Sequence, residues 1–387
     1  MKILHLFSDW KWTGPAEPVV NLCLALQQRG HEVVLAYRRP PFEALESVEV
    51  GVRKKGIRGI DIFRLEPISK LHKIYLLKAM VSDIKGIARY IDQERFDIVN
   101  VHNSHDHIVG GLAVKASRRR PPAIRMDHKR DSLNTDFISK WFFRRYTDGL
   151  ITFSDRNRER LVRDLNFSPE RVAKVATAVD LTRFDPHKGY KDMRPVFKIL
   201  PTSPVVGIVA RFQRYRRTDI LLEAISHLIR DVPHVRLLLV GRSSQIKESV
   251  IEPMKRLGIS SHVILAGYRM DDYVDTLACM DVFCLLTPGS DGTARVLREA
   301  MAIGKPAVVT RRGMLPELVE DGVHGFVVDE RPEALCQALL TLIKDERLRR
   351  TMGNAASEIA RREFRIERQA EEVEDFYRHI MEVAKGT

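Results

Sequence analysis

Residues 287–306, TPGSDGTARVLREAMAIGKP, place two carboxylates, Asp291 and Glu299, eight positions apart. At about 100° per residue they fall roughly 80° apart around a helix, on neighbouring sides. The preceding apolar run, DVFCLL at 281–286, reads as a buried strand, and Gly304-Lys305-Pro306 has the usual helix-stopping residues. A strand that ends in a Gly-containing turn and feeds a helix aims free N–H groups and the helix dipole at an anion. From the pattern alone, Asp291 is either an N-cap or a ligand group, and Glu299 either a surface residue or part of the same site.

Other residues invite chemistry. Arg211, Arg214, Arg216 and Arg217 crowd one short loop after an apolar strand, which suits a phosphate-bearing ligand, although a solvated basic helix start would look the same. His102, His105 and His107 lie together in HNSHDH at another strand end. They lack Cys or carboxylate partners at zinc-site spacing, so metal binding is not expected. His128 closes the strand AIRMDH and reads either as a core histidine or as a site residue.

The elements that must position these residues alternate strand and helix. At 387 residues, with 44% hydrophobic and 30% charged, the chain is long enough for two domains and is not disordered. It has no apolar run of the ~18 residues a membrane span needs, and MKILHLFSDW reads as a first strand rather than a signal peptide. Cys23, Cys279, Cys284 and Cys336 have no CxxC spacing and imply reduced thiols in a cytoplasmic protein. Strands are expected at 2–8, 32–37, 97–102, 123–128 and 149–154, then at 205–210, 235–240, 262–266, 281–286, 307–310 and 325–328. Such repeats mean parallel, doubly wound α/β sheets. Ligands of these sheets bind at the C-terminal strand ends, here expected in a central cleft faced by two tandem Rossmann-like domains. The expected divisions are 1–190, 191–364 and a C-terminal helix, 365–387, with residues 186–204 as linker.

The chain resembles the retaining, nucleotide-sugar-dependent glycosyltransferases of the GT-B type (family 4, group 1). The stretch at 291–306 is similar to the family's E-x7-E followed by EAMAxGKPV. TGPAEPVV…GHEV resembles GGxExxV…GHxV, VATAVDLTRF resembles xNGVDxxxF, residues 210–221 resemble GRxxxxKGxDxL, and GMLPELVEDGVHG resembles GGxPExVxxGxxG. Linked motifs in order are far more specific than any one alone.

The resemblance implies roles. Arg211 and Arg216 would neutralise the departing diphosphate, with Arg216 replacing the family's Lys. Gly14 would let backbone N–H groups approach the same diphosphate. Glu299 would accept from the ribose hydroxyls. Asp291, one methylene shorter than the family's Glu, would contact the transferred sugar. Gly292, Thr293 and Ala294 replace Gly-Phe-Gly and would offer backbone N–H groups. His128 would hold a sugar hydroxyl. Glu317 is either near the nucleotide or a packing residue. No metal and no separate cofactor are expected, the nucleotide-diphosphate sugar being a substrate.

The net charge of +13 lies wholly in the first half: residues 1–200 have 37 Lys+Arg against 24 Asp+Glu, and residues 201–387 have 27 of each. A one-sided basic domain suggests an anionic glycolipid or saccharide acceptor and peripheral contact with an anionic membrane through residues 118–122 and 140–145. Cell-envelope polysaccharide or lipopolysaccharide synthesis fits. A catalytically weak sugar-nucleotide-binding scaffold and a sugar-nucleotide epimerase are the alternatives. Nucleic acid is not an expected partner, because no nucleic-acid module or stacking platform accompanies the charge.

Overall fold

Short apolar runs become strands buried on both faces in the middle of each sheet, while the outer strands are partly exposed. The computed structural model describes residues 1–12, 14–66, 74–128, 136–288 and 291–385, without the side chains of 74–76 and 291–293. Two compact units result: Met1–Thr177 together with Ile366–Thr387, and Ala178–Arg365.

The first unit runs β1 (Lys2–Phe7), α1 (Ala16–Gln28), β2 (Glu32–Tyr37), α2 (Val48–Lys54), β3 (Arg58–Ile60), α3 (Ile74–Glu94), β4 (Ile98–Val101), α4 (Ser104–Ala116), β5 (Ala123–Met126), α5 (Phe137–Tyr146), β6 (Gly149–Thr152), α6 (Asp155–Leu165) and β7 (Val172–Lys174). Its sheet has the order β3-β2-β1-β4-β5-β6-β7, with parallel pairing throughout the described strands. Leu4, Leu6, Val99 and Val101 pack beneath Ile87, Ile91, Val109 and Ala113 of α3 and α4. The chain leaves β1 toward β3 and returns to β4 on the other side, so the topological switch lies between β1 and β4.

The second unit runs β8 (Val205–Val209), α7 (Thr218–Asp231), β9 (Arg236–Val240), α8 (Glu252–Arg256), β10 (Val263–Gly267), α9 (Tyr273–Ala278), β11 (Val282–Leu285), α10 (Asp291–Ala302), β12 (Ala307–Thr310), α11 (Leu315–Leu318), β13 (Gly325–Val328), α12 (Pro332–Lys344) and α13 (Glu346–Glu363). The order β10-β9-β8-β11-β12-β13, again parallel, puts its switch between β8 and β11. Helix α10 stops where Gly304 turns left-handed (φ +77°) and the Gly304 and Lys305 N–H groups donate back to Met301 and Ala300. Glycine is also needed opposite: a Cβ at Gly353 of α13 would stand 2.2 Å from Gly304 O.

One expectation needs correction. Residues 186–204 read as a linker with the break at 190, but the division falls after Thr177. The segment is tied to the second unit by polar bonds that composition hides. Lys191 N donates to Asp275 (3.0 Å), and Arg194 Nη2 meets Asp281, which also accepts from Val205 N (2.7 Å).

The last helix, α14 (Ile366–Lys385), is counted with the first unit. It lies against α1, buries Tyr377 fully, and brings Phe376 and Ile380 onto Gly149, where a Cβ would be only 3.0 Å from each. Glu374 pairs with Arg29 at 2.6 Å and His31 at 3.2 Å. Burial opposes its charge, yet hydrogen bonds from Arg378, Arg29 and His31 hold the Glu374 carboxyl down at about 2.

Candidate active site

The loop after β8 contributes the arginines of the second unit. One 3-10 turn, residues 214–216, carries Arg216 inward, and Arg217 then enters α7 from a left-handed backbone (φ +56°). Arg216 is only 5% exposed; its Nη1 donates to Thr287 O at 2.8 Å, and its guanidinium lies 5.0 Å from the Tyr215 ring centre. Thr287 follows β11, so this bond joins the two loops that flank the switch. Arg211 and Arg214 are exposed. Arg217 is paired with Asp219 (3.3 Å) and Glu330 (2.7 Å), which takes it out of the group of arginines facing a ligand.

Helix α10 buries Ala294, Leu297, Ala300, Met301 and Ala302 on its core stripe. Ala294 therefore spends its methyl on packing and has only its backbone N–H to offer. Glu299 is nearly buried, with Oε2 accepting from Tyr273 Oη at 2.6 Å and Oε1 facing Arg295 Nε at 3.2 Å. Tyr273 and Arg295 thus fix the orientation of both carboxylate oxygens. Asp291, Gly292 and Thr293 stand at the helix start with backbone described; their side chains lie outside the described residues. Glu317, on α11, is exposed.

In the first unit, Gly14 adopts φ +55° and no atom lies within 4 Å of where its Cβ would be. Its glycine is explained by backbone handedness rather than crowding in the protein. His128 is partly exposed at the C-terminal end of β5. Its Nε2 lies 3.1 Å from His102 Nδ1, and its ring is 5.2 Å from that of Phe153.

The HNSHDH histidines do not converge. His102 turns to His128 and His5, His107 Nε2 meets Thr147 Oγ1 at 2.5 Å, and His105 is buried on α4. Among the described residues no group of three or more His, Cys, Asp or Glu is placed to hold a metal ion. Asp106 accepts from Ser8 N (2.8 Å) and Asn103 N (2.7 Å), binding the loop after β1 to the start of α4; burial raises its carboxyl to about 6. Arg125 and Asp127 form a buried pair at 3.5 Å, and the Arg125 charge acts on Asp106.

Tyr273, His5 and Asn100 escape the sequence reading. Tyr273 comes from α9, 26 residues before the carboxylate it holds, and no local spacing joins them. His5 does leave a trace, as a polar residue inside the apolar strand KILHLF.

Two family profiles match the chain: Glycosyltransferase Family 4 over residues 13–183 and Glycosyl transferases group 1 over residues 189–359. N-acetyl-alpha-D-glucosaminyl L-malate synthase of Bacillus anthracis is 29% identical over 379 residues, covering 92% of this chain and 91% of that protein. An Escherichia coli UDP-Gal:alpha-D-GlcNAc-diphosphoundecaprenol alpha-1,3-galactosyltransferase is 23% identical over 79% of this chain and 80% of its own. Among solved structures, a Rickettsia africae glycosyltransferase superposes with TM-score 0.82 at 17% identity over 98% of both chains. Anabaena HepE in complex with UDP-glucose gives 0.73 at 21% identity over the whole of both. With its two parallel α/β units and both profiles matched in order, the chain belongs to the family 4, group 1 glycosyltransferases and has their GT-B fold.

Proposed function

We propose that this glycosyltransferase moves a hexose-like sugar, with retention of configuration, from a nucleotide-diphosphate sugar to a hydroxyl of an anionic glycolipid or saccharide in cell-envelope assembly. The observation that carries the donor reading is the Arg216–Thr287 bond across the β8–β11 switch, beside exposed Arg211 and the clamped carboxylate of Glu299. Arg211 and Arg216 stabilise the leaving diphosphate, Glu299 takes the ribose hydroxyls, and Gly14 and the backbone of residues 292–294 meet the phosphates. Asp291 contacts the transferred sugar, and His128 holds one of its hydroxyls. A uridine donor is favoured, since HepE was solved with UDP-glucose and the Escherichia coli relative is named for UDP-Gal.

With arginines supplying the positive charge, transfer is expected to survive EDTA. The departing diphosphate takes the acceptor proton on the same face of the sugar, so no glycosyl-enzyme intermediate forms. Trapping a glycosyl ester on Asp291 or another acid would overturn that route.

The acceptor reading rests chiefly on α5, since the first unit, with 35 Lys+Arg against 27 Asp+Glu, is only modestly more basic than the second, with 29 against 24. Phe137, Ile138 and Trp141 are 83%, 74% and 53% exposed beside Lys140, Arg144 and Arg145. This mixture suits an anionic membrane surface at the cytoplasmic face. Among the described residues, no helix is long and apolar enough to cross a membrane.

The deciding experiment is a thermal-shift screen of UDP-, GDP-, ADP- and CMP-sugars followed by an assay of transfer. One nucleotide class should raise the midpoint, by an amount set by ligand concentration over Kd. Binding without turnover would instead favour a scaffold, and a changed sugar nucleotide released without acceptor would favour an epimerase.

A further inference from the structure

Beneath His128 the first unit buries a row of polar side chains for which the family roles have no use. His5 Nδ1, inside β1, lies 2.9 Å from His102 Nε2 and 3.3 Å from Asn100 Nδ2; His102 Nδ1 lies 3.1 Å from His128 Nε2. The imidazole planes of successive pairs are inclined by only 15° and 29°. His5, Asn100 and His102 are at most 1% exposed, and the row crosses the β1–β4 switch to the end of β5.

The direction of these bonds follows from donor chemistry. With the Asn100 amide turned so that its nitrogen faces His5, that nitrogen donates and His5 Nδ1 accepts and carries no hydrogen. This leaves Asn100 Oδ1 and His5 Nε2–H buried without partners among the described residues. The same single lone pair, shared between two donors, accepts from His102 Nε2–H at the shorter distance. A neutral His102 with its hydrogen on Nε2 has its lone pair on Nδ1, which accepts from His128 Nε2–H. The reverse order would point the His5 Nδ1–H at His102 and leave the Asn100 amide nitrogen, 3.3 Å from the same atom, without an acceptor there.

We propose that Asn100, His5 and His102 form a directed hydrogen-bond chain that holds neutral His128 in its Nε2–H tautomer, with the ring lone pair on Nδ1. His5 and His102 are positioning residues, acting on the sugar-side histidine from behind. Burial keeps both uncharged, His5 being pushed down to about 3 and His102 well below the ordinary histidine value. The nearby charges, Arg125 with Asp127 and Asp106, disfavour or balance a proton on the row rather than supply one. The catalytic consequence rests on the role proposed above for His128; the tautomer does not.

Long-range 1H–15N correlation spectra of the full chain labelled with 15N-histidine test this, with His128 assigned from the signals lost in His128→Gln. The expected wild-type pattern is a protonated Nε2 and an unprotonated Nδ1 on neutral His128. Finding Nδ1–H instead overturns the chain without any variant. His102→Leu should mix the two tautomers, and His102→Gln, whose carbonyl can accept from Nε2–H, should restore one. An unchanged tautomer in His102→Leu would also overturn the proposal. If UDP-glucose is turned over, kcat should fall about 10–100-fold in His102→Leu with KM nearly constant, taking as a guide the range for partners that orient metal-ligating histidines. Turnover left intact in His128→Ala would count against the proposed role of His128, while the spectra would still decide the tautomer.

Discussion

Tyr273 Oη donates to Glu299 Oε2 at 2.6 Å, while Arg295 holds the other carboxylate oxygen at 3.2 Å. The carboxylate proposed for the ribose is therefore oriented before any nucleotide arrives. Tyr273→Phe should weaken nucleotide-sugar binding about 10-fold and cost about 1.5–3 kcal/mol of stability, the range for a hydrogen bond to a charged group. Calorimetric titration and denaturant unfolding check both. Glu299→Gln should weaken binding further, and equal affinity in both variants would mean that Glu299 does not touch the nucleotide.

Arg211 and Arg216 should separate by their effects on stability. Arg211 is exposed, so Arg211→Ala should leave the unfolding free energy within about 0.5 kcal/mol while lowering kcat on the order of 10²–10³. Arg216 is buried and donates to Thr287 O, so Arg216→Ala should lower both activity and stability, the latter by about 1.5–3 kcal/mol. Arg216→Lys keeps the charge and loses the planar fork, and should fall between. Thermal melts and initial rates on one set of variants settle the comparison.

Acid should loosen the first unit before the second. Burial holds His5 at about 3, His105 at about 4, and His102 and His107 well below the ordinary 6.5. Between roughly those values and 6.5 the unfolded chain binds more protons than the folded one, so stability falls as pH falls below about 6.5. Asp106 works the other way: its carboxyl, raised to about 6, adds stability at low pH that is lost as pH rises from 3.8 through 6. Asp83, also raised by burial, acts in the same sense as Asp106, and four histidines outweigh these two carboxyls. Glu374, held at about 2, adds a further loss as pH falls below about 4.5. In the second unit the histidine lowered by burial is His324. Hydrogen exchange between pH 7 and 4.5 should expose amides of β1, β4 and β5 before those of β8 and β11; simultaneous loss would contradict this account.

Vesicle flotation tests α5. The wild type should float with anionic vesicles and release as salt rises toward 0.5 M, because screening shortens the reach of Lys140, Arg144 and Arg145. Phe137→Ala with Trp141→Ala should weaken flotation by roughly 10-fold or more, since each removes most of an exposed aromatic side chain. Salt-insensitive or absent binding would remove the membrane from the proposed function.

Much of this architecture is legible in the sequence because buried parallel strands are continuous apolar runs and their helices end in Gly-containing signals. EAMAIGKP is a clear case: Gly304 supplies the left-handed stop, and Lys305 Nζ reaches Ala278 O at 2.6 Å. Strands β3 and β7 are not legible, since three-residue edges such as RGI and VAK are too short to show a period. Residues 186–204 look like a linker because they are rich in Pro and Lys and show no clear period, and only Asp275 and Asp281, far along the chain, reveal that they are anchored. Glu299 could be found from a linear motif. The group that orients it and the row behind His128 could not, because their members meet only after strands from distant parts of the chain are laid side by side.

Helix α14 also bears on the order in which the protein is made. The first unit begins with Met1 but lacks Tyr377, Phe376 and Glu374 until α14 has been synthesised. Translation therefore completes the second unit, Ala178–Arg365, first. The older unit waits with α1 and Gly149 uncovered, an apolar surface on which a nascent chain needs protection from aggregation. A fragment ending at Thr177 would keep that surface permanently.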